Sequence, residues 1–226
     1  GDLLFSPQEF SAVATEIDRR GLQIAVHAIG DAAVRNTIDG YEAAQVANGT
    51  RDSRHRIEHI ELINRADIPR LGALGITASL QPPHPPGALD FPISAMQAVF
   101  HRQRWPDAYL WRTLAEHGAP VAFASDWPVT DVSVMRGVQA ALCRVPYEGA
   151  GDERLPLMAT LHAYTAGGAW AAHMEGVTGR LVPGLAADMV LVDGDIEAIP
   201  SGSLGGTGIA LTICAGKVTH AAGRFA

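Results

Sequence analysis

Short apolar runs alternate with helical patterns through the first half of the chain, and that alternation limits the fold more than any other feature. Leu22–His27, His55–His59, Ile76–Leu80 and Pro120–Ser125 read as strands. Ser6-Pro7-Gln8-Glu9 is a helix start, with a capping Ser, Pro in the first turn and an acid at the third helical position. That helix is expected to run to about Arg20 and to stop at Gly21. Further helical patterns cover Asp31 to about Ala47, Arg65 to Leu74, and Trp105 to His117, with a Pro-, Gly- and His-rich loop before the last. Strands separated by such helices predict βαβ units and a parallel sheet, an α/β fold. From Gly176 the style changes. Val177–Gly184 and Ala187–Gly194 read as short strands, and Thr212–Thr219 as a hairpin around Ala215-Gly216. The expected organisation is a (β/α) part over residues 1–175 and a small β unit over 176–226.

In parallel sheets chemistry gathers at the carboxyl ends of strands. His27, His59, the loop carrying His84, and Asp126 all fall there. The segment Ser53-Arg54-His55-Arg56-Ile57-Glu58-His59-Ile60-Glu61 concentrates charge on a strand-like stretch of a chain with only 18% charged residues. Burying such groups is costly unless they pair or hold a metal. Imidazole and carboxylate are the usual nitrogen and oxygen ligands of zinc and similar ions. His27, His59 and Asp126 can converge on one ion from neighbouring strand ends, with Asp126 also taking and returning a proton. Each has a plainer reading: a strand-end His also serves as a hydrogen-bonded structural residue, and Asp126 also suits a turn cap. His84, in Gln81-Pro82-Pro83-His84, is either a substrate contact or a surface-loop histidine. His55 reads as structural or as a salt-bridge partner, and Arg56 and Glu58 as pairing with each other's neighbours. His101, His117, His162, His173 and His220 read as solvated or capping residues.

Composition excludes other classes. The net charge is -7 and no basic run occurs, so no nucleic-acid partner is expected. No unbroken apolar stretch is long enough to span a membrane. Two cysteines, Cys143 and Cys214, in 226 residues fit a cytoplasmic location. The chain opens on Gly1 with neither initiator Met nor signal-peptide pattern, so a start inside a longer protein is expected.

The ordered set His27-Ala28-Ile29-Gly30-Asp31, Arg56-Ile57-Glu58-His59, Gln81-Pro82-Pro83-His84 and Ser125-Asp126-Trp127-Pro128-Val129 resembles the amidohydrolase superfamily, in the branch called amidohydrolase family 3. The tail, from Tyr164-Thr165 to Ala215-Gly216-Lys217-Val218, is similar to that family's ending. The resemblance implies the second half, strands five to eight, of a TIM-type (β/α)₈ barrel with part of a small β-sandwich. It implies a metal-dependent hydrolase of C–N bonds, with zinc or another divalent ion held by His27, His59 and Asp126. Asp126 would also be the general acid–base, and His84 and Trp127 would meet a small-molecule substrate. The family's His-x-His pair occurs nowhere in this sequence. The chain is therefore expected either to self-associate or to pair with the missing N-terminal half. The alternative implied is a half-barrel that binds or regulates without catalysis.

Overall fold

The computed structural model describes residues 3–225. Helix α1 (Pro7–Arg19) begins as its sequence predicts. Ser6 Oγ accepts from the Glu9 amide at 3.3 Å, and the Glu9 carboxylate accepts from the Ser6 amide at 2.9 Å. Helix α2 (Asp31–Asn48) stops at Gly49, whose φ of 86° is one that glycine adopts without strain. Helix α3 (Ile68–Leu74) follows the second strand. Strands β1 (Ala25–Ala28), β2 (Arg56–His59), β3 (Thr77–Leu80) and β4 (Val121–Phe123) form one sheet in the order β1-β2-β3-β4. β1 pairs parallel with β2, Ala28 opposite His59, and β2 pairs parallel with β3, Ile57 opposite Ala78.

β3 is buried at every position, as expected of a parallel strand covered on both faces, whereas β1 lies at the sheet edge with Ala25 and His27 exposed. Ile38, Ile57, Leu71, Leu80 and Leu114 are fully buried. Each such side chain removed from water contributes roughly 1.5–3 kcal/mol. Gly72 of α3 lies against the chain at His117-Gly118. A Cβ there would stand 2.4 Å from the His117 carbonyl oxygen, so only glycine fits.

The connection from β3 to the next helix departs from the sequence expectation. Helix α4 (Ile93–Val99) lies within the stretch expected to be loop, and the helix expected from Trp105 begins only at Trp111, as α5 (Trp111–Glu116). Arg102–Asp107 forms a 3₁₀ turn instead. The physical reason is pairing with a distant segment. Ala108 makes an antiparallel bridge to Leu62, and the Tyr109 amide donates to the Glu61 carbonyl at 2.8 Å with Tyr109 at a left-handed φ of 54°. Pro106, with no amide proton, also weakens any longer helix.

The chain divides into two compact units. The first holds the residues up to Leu80, Pro92–Ala122 and Val145–Glu153, hence most of the parallel sheet. The second holds Gln81–Phe91, Phe123–Arg144 and the residues from Arg154 onward. It contains helices α6 (Val134–Cys143), α7 (Leu157–Tyr164) and α8 (Ala166–Ala171), and an antiparallel sheet of β5 (Met189–Val192), β6 (Ile209–Cys214) and β7 (Lys217–Ala221) in that order. The β6–β7 hairpin turns at Ala215-Gly216 as predicted. Met135, Val138 and Leu204 form a core with Leu157, Leu161 and Ile199 around them. Val177–Gly184 is not a strand. The Val177 and Thr178 amides turn back to the Met174 carbonyl, at 2.8 and 2.9 Å, and Leu181 is 72% exposed, so nothing draws the segment into a ladder. Among the described residues no helix is long and apolar enough to cross a membrane.

Candidate metal centre

In the first unit, the carboxyl ends of β1 and β2 bring two imidazoles together. The His27 and His59 rings meet edge to face, with centroids 4.5 Å apart. Strand alternation alone does not give this contact. His27 stands opposite Glu58, so an ideal β2 would turn His59 to the other face, with Ala28. Two consecutive left-handed residues, His59 at φ 82° and Ile60 at φ 48°, end the alternation there. The Ile60 amide donates to the Ala28 and Glu58 carbonyls, both at 3.2 Å, and the Leu62 amide to the Ile29 carbonyl at 3.0 Å. Positive φ in a β-branched residue is costly, and such strain concentrates at functional sites.

The same ends are tied down by the long connection after β3. Arg104 Nη1 donates to Asp31 Oδ2 at 2.8 Å, just past the His27-Ala28-Ile29-Gly30 turn. The Arg104 hydrogen bond holds the Asp31 carboxyl below the usual carboxylate range, against partial burial. Arg65 Nε, just past the β2 end, donates to Asp107 Oδ1 at 2.8 Å. Sequence reasoning missed this strap, since Arg104 and Asp31 lie 73 residues apart.

In the second unit, His84 Nε2 lies 3.5 Å from Asp126 Oδ2. His84 is buried and packs edge-on to Phe91, which removes the surface-loop reading. The turn Ser125-Asp126-Trp127-Pro128-Val129-Thr130 is built from other groups. The Trp127 amide donates to Ser125 Oγ at 3.2 Å, the Val129 amide to the Asp126 carbonyl at 2.8 Å, and the Thr130 hydroxyl to the Ser125 carbonyl. Ser125, not the Asp126 side chain, therefore caps the turn, and the Asp126 carboxylate faces His84. Asp126 sits at φ 61°, the second left-handed residue, after His59, among the predicted site positions. Trp127 is 68% exposed.

The remaining predicted residues lie elsewhere. Arg56 and Glu58 pair with each other, Nε to Oε1 at 3.2 Å, rather than with each other's neighbours. His55 is a structural residue, its ring hydrogen-bonded to Asp18 at the amino end of the sheet.

Imidazole and carboxylate together are a donor set for zinc and related divalent ions. Two ligands at about 2.0–2.1 Å from a tetrahedral ion stand roughly 3.3–3.4 Å apart. The His84–Asp126 separation of 3.5 Å fits that requirement.

Comparison with known proteins agrees with this chemistry. A model of the amidohydrolase family matches residues 2–220. Protein LONG AFTER FAR-RED 3 of Arabidopsis thaliana is 35% identical over 84% of this chain and 33% of its own. YtcJ of Bacillus subtilis (strain 168), named as a candidate amidohydrolase, is 30% identical over 89% of this chain and 38% of its own. A crystal structure of a metal-dependent hydrolase from Pyrococcus horikoshii OT3 superposes with a TM-score of 0.74 at 27% identity, over 89% of this chain and 40% of that one. The chain thus spans about a third to two-fifths of the length of these two relatives. With the motifs in family order and the match running almost end to end, the chain belongs to the amidohydrolase family, in the family 3 branch.

Proposed function

We propose that this chain is the C-terminal portion of a metal-dependent hydrolase that cleaves C–N bonds of amides or cyclic amides in small molecules. In this reading β1 to β4 stand as strands five to eight of a (β/α)₈ barrel. One observation carries it: four consecutive strands each lead into a ligand-type residue at their carboxyl end. His27 is next to last in β1, His59 is last in β2, and His84 and Asp126 follow β3 and β4 within a few residues.

By resemblance to the family, His27, His59 and Asp126 would hold the ion, and His84, at ligand-pair distance from Asp126, would stand at its edge toward the substrate. A divalent ion of the zinc type lowers the pKa of bound water and polarises a carbonyl. The Asp126 carboxylate takes the proton of the attacking water and then gives it to the leaving nitrogen as the C–N bond breaks. His84 and the exposed indole of Trp127 contact the substrate. The chain gains the rest of its barrel either from the N-terminal half or from a second copy. Exposed Leu22 beside the β1 edge, and exposed Val190, Leu191 and Val218 on the antiparallel sheet, support association. A second reading, a module that binds without catalysis, is favoured for the chain by itself, whose sequence has no His-x-His.

The test is zinc equilibrium dialysis on the chain, beside amide hydrolysis by the full-length protein. The chain is expected to bind zinc, and Asp126→Asn to weaken it at least about tenfold. In the full-length protein Asp126→Asn is expected to cut hydrolysis by about 10²–10⁴-fold. Zinc binding indifferent to Asp126→Asn rejects the site, and zinc binding by a full-length protein that turns over no amide favours the second reading. Light scattering at low micromolar concentration tests assembly, and a monodisperse monomer with no dye-binding apolar surface rejects it.

A further inference from the structure

At the amino end of the sheet, all within the first unit, one imidazole is held by two hydrogen bonds that fix its protonation. His55 Nδ1 lies 3.1 Å from the Ile24 amide nitrogen. An amide can only donate, so Nδ1 must offer its lone pair. The single ring proton then resides on Nε2, which donates to Asp18 Oδ1 at 3.1 Å. His55 is 4% exposed and Asp18 is equally buried. The same Asp18 oxygen accepts from Arg51 Nε at 2.7 Å, and Oδ2 accepts from Asn48 Nδ2 at 2.9 Å. The carboxylate therefore already has its cation in Arg51 and needs no second charge from His55.

The backbone of His55 is equally engaged. Its carbonyl accepts from the Thr77 amide at 2.9 Å, and the next residue's amide donates to the Ile24 carbonyl at 2.8 Å. One residue thus fastens α1, through Asp18, to the starts of three strands.

We infer that His55 is the catch of an acid-released latch: the neutral ring holds α1 to the amino ends of β1 and β2, and a proton on Nδ1 displaces the Ile24 amide and opens it. The groups facing the ring are Asp18 from α1, Tyr41 from α2 with ring centroids 4.8 Å away, Arg51 from the connection before β2, and the uncharged Ile24 amide. The end of α3 and the start of β3, Gly72 to Ile76, add no charge. Asp18 favours the cation. Burial, with Arg51, opposes it and prevails, which lowers the ring's pKa from the ordinary histidine value. A cavity of about 280 Å³ lined by Asp18, Tyr41, Gln45, Arg51 and His55 lies beside the ring and admits water, the proton's route.

The sign follows from the lowered value. The unfolded chain takes up the proton first as pH falls. The latch is fully closed above the ordinary histidine pKa, and its contribution is lost as pH falls from there through the folded value.

Nitrogen-detected NMR of the chain is the test. At about pH 7.5 the His55 ring is expected as the neutral Nε2–H tautomer. Between about pH 7.5 and pH 5, hydrogen-exchange protection of the Ile24 amide is expected to fall about tenfold more than that of the Ile57 and Ala78 amides, after correction for intrinsic rates. In His55→Gln, which cannot titrate, that extra loss should vanish. An Nδ1–H tautomer or an imidazolium at the higher pH overturns the latch. So does an Ile24 amide that merely tracks the two controls, or an extra loss that persists in His55→Gln. Should His55→Gln not fold, the wild-type tautomer and exchange data alone decide it.

Discussion

His55 and His59 bracket one strand, four residues apart, at 4% and 7% exposure. Burial does not distinguish them, but everything around them does. Both ring nitrogens of His55 are engaged, one by a backbone amide and one by a carboxylate. His59 sits at φ 82°, followed by a second left-handed residue, with its ring turned edge-on to another imidazole. Both ends carry left-handed backbone, since Arg54 just before His55 lies at φ 47°; what separates them is the ring, locked by two hydrogen bonds at the amino end and set edge-on to a second imidazole at the carboxyl end. A buried histidine tells little by itself; the groups its ring meets tell more.

The sharpest way to break this contrast is to remove each ring and measure urea unfolding. His55→Ala gives up two hydrogen bonds and opens a space beside an existing cavity. At about 1 kcal/mol per bond, with the lost packing added, the expected cost is about 2–4 kcal/mol. His59→Gly removes a ring but also relieves a left-handed conformation worth roughly 1–2 kcal/mol. Its stability should stay within about 1 kcal/mol of wild type. Equal losses in the two variants would show that both histidines are structural.

A second variant asks how rigid the amino end is. In the middle of a helix, Gly72→Ala should gain about 1 kcal/mol from propensity alone. Here the new methyl would meet the His117 carbonyl at 2.4 Å, and neither backbone can swing aside as a side chain would. The clash is expected to win, with a net loss of about 1–3 kcal/mol in thermal or urea unfolding. A neutral or stabilised Gly72→Ala would mean that this end yields more readily than the locked His55 ring implies.

The two ends were not equally legible from the sequence. The four parallel strands could be read because apolar runs between helical patterns report burial directly. The Ser6–Glu9 cap, Gly49 and the Ala215-Gly216 turn could be read because local chemistry determines them. That His27, His59 and Asp126 stand at or near strand ends could be read from the same pattern. The geometry of the candidate site did not follow. Alternation places His59 on the wrong face, and only the left-handed bend at His59-Ile60 brings it to His27. The His84–Asp126 approach depends on two loops whose side-chain directions no pattern encodes. The helix expected from Trp105 failed for a related reason: Ala108 and Tyr109 gain more by pairing with Leu62 and Glu61 than by continuing a turn. Val177–Gly184 misled because its apolar residues looked strand-like, although they stay in solvent.

The smallest expected effect concerns the strap over the carboxyl ends. Arg104 reaches Asp31 at 2.8 Å and Asp107 at 3.3 Å, but its side chain is about a third exposed. Solvent and salt screen such pairs, so Arg104→Ala should cost only about 0.2–1 kcal/mol, and less at high ionic strength. The ends should nonetheless loosen where Arg104 held them. The amides beside the tie, Ala32 and Val34 at the start of α2, are expected to exchange faster than in wild type, while the Ile24 and Arg56 amides at the amino end keep their protection. A loss well above about 1 kcal/mol would make Arg104 part of the folding core rather than a clamp on the site. Faster exchange at both ends of the sheet would show that the two ends respond as one body, and the division drawn between His55 and His59 would not hold.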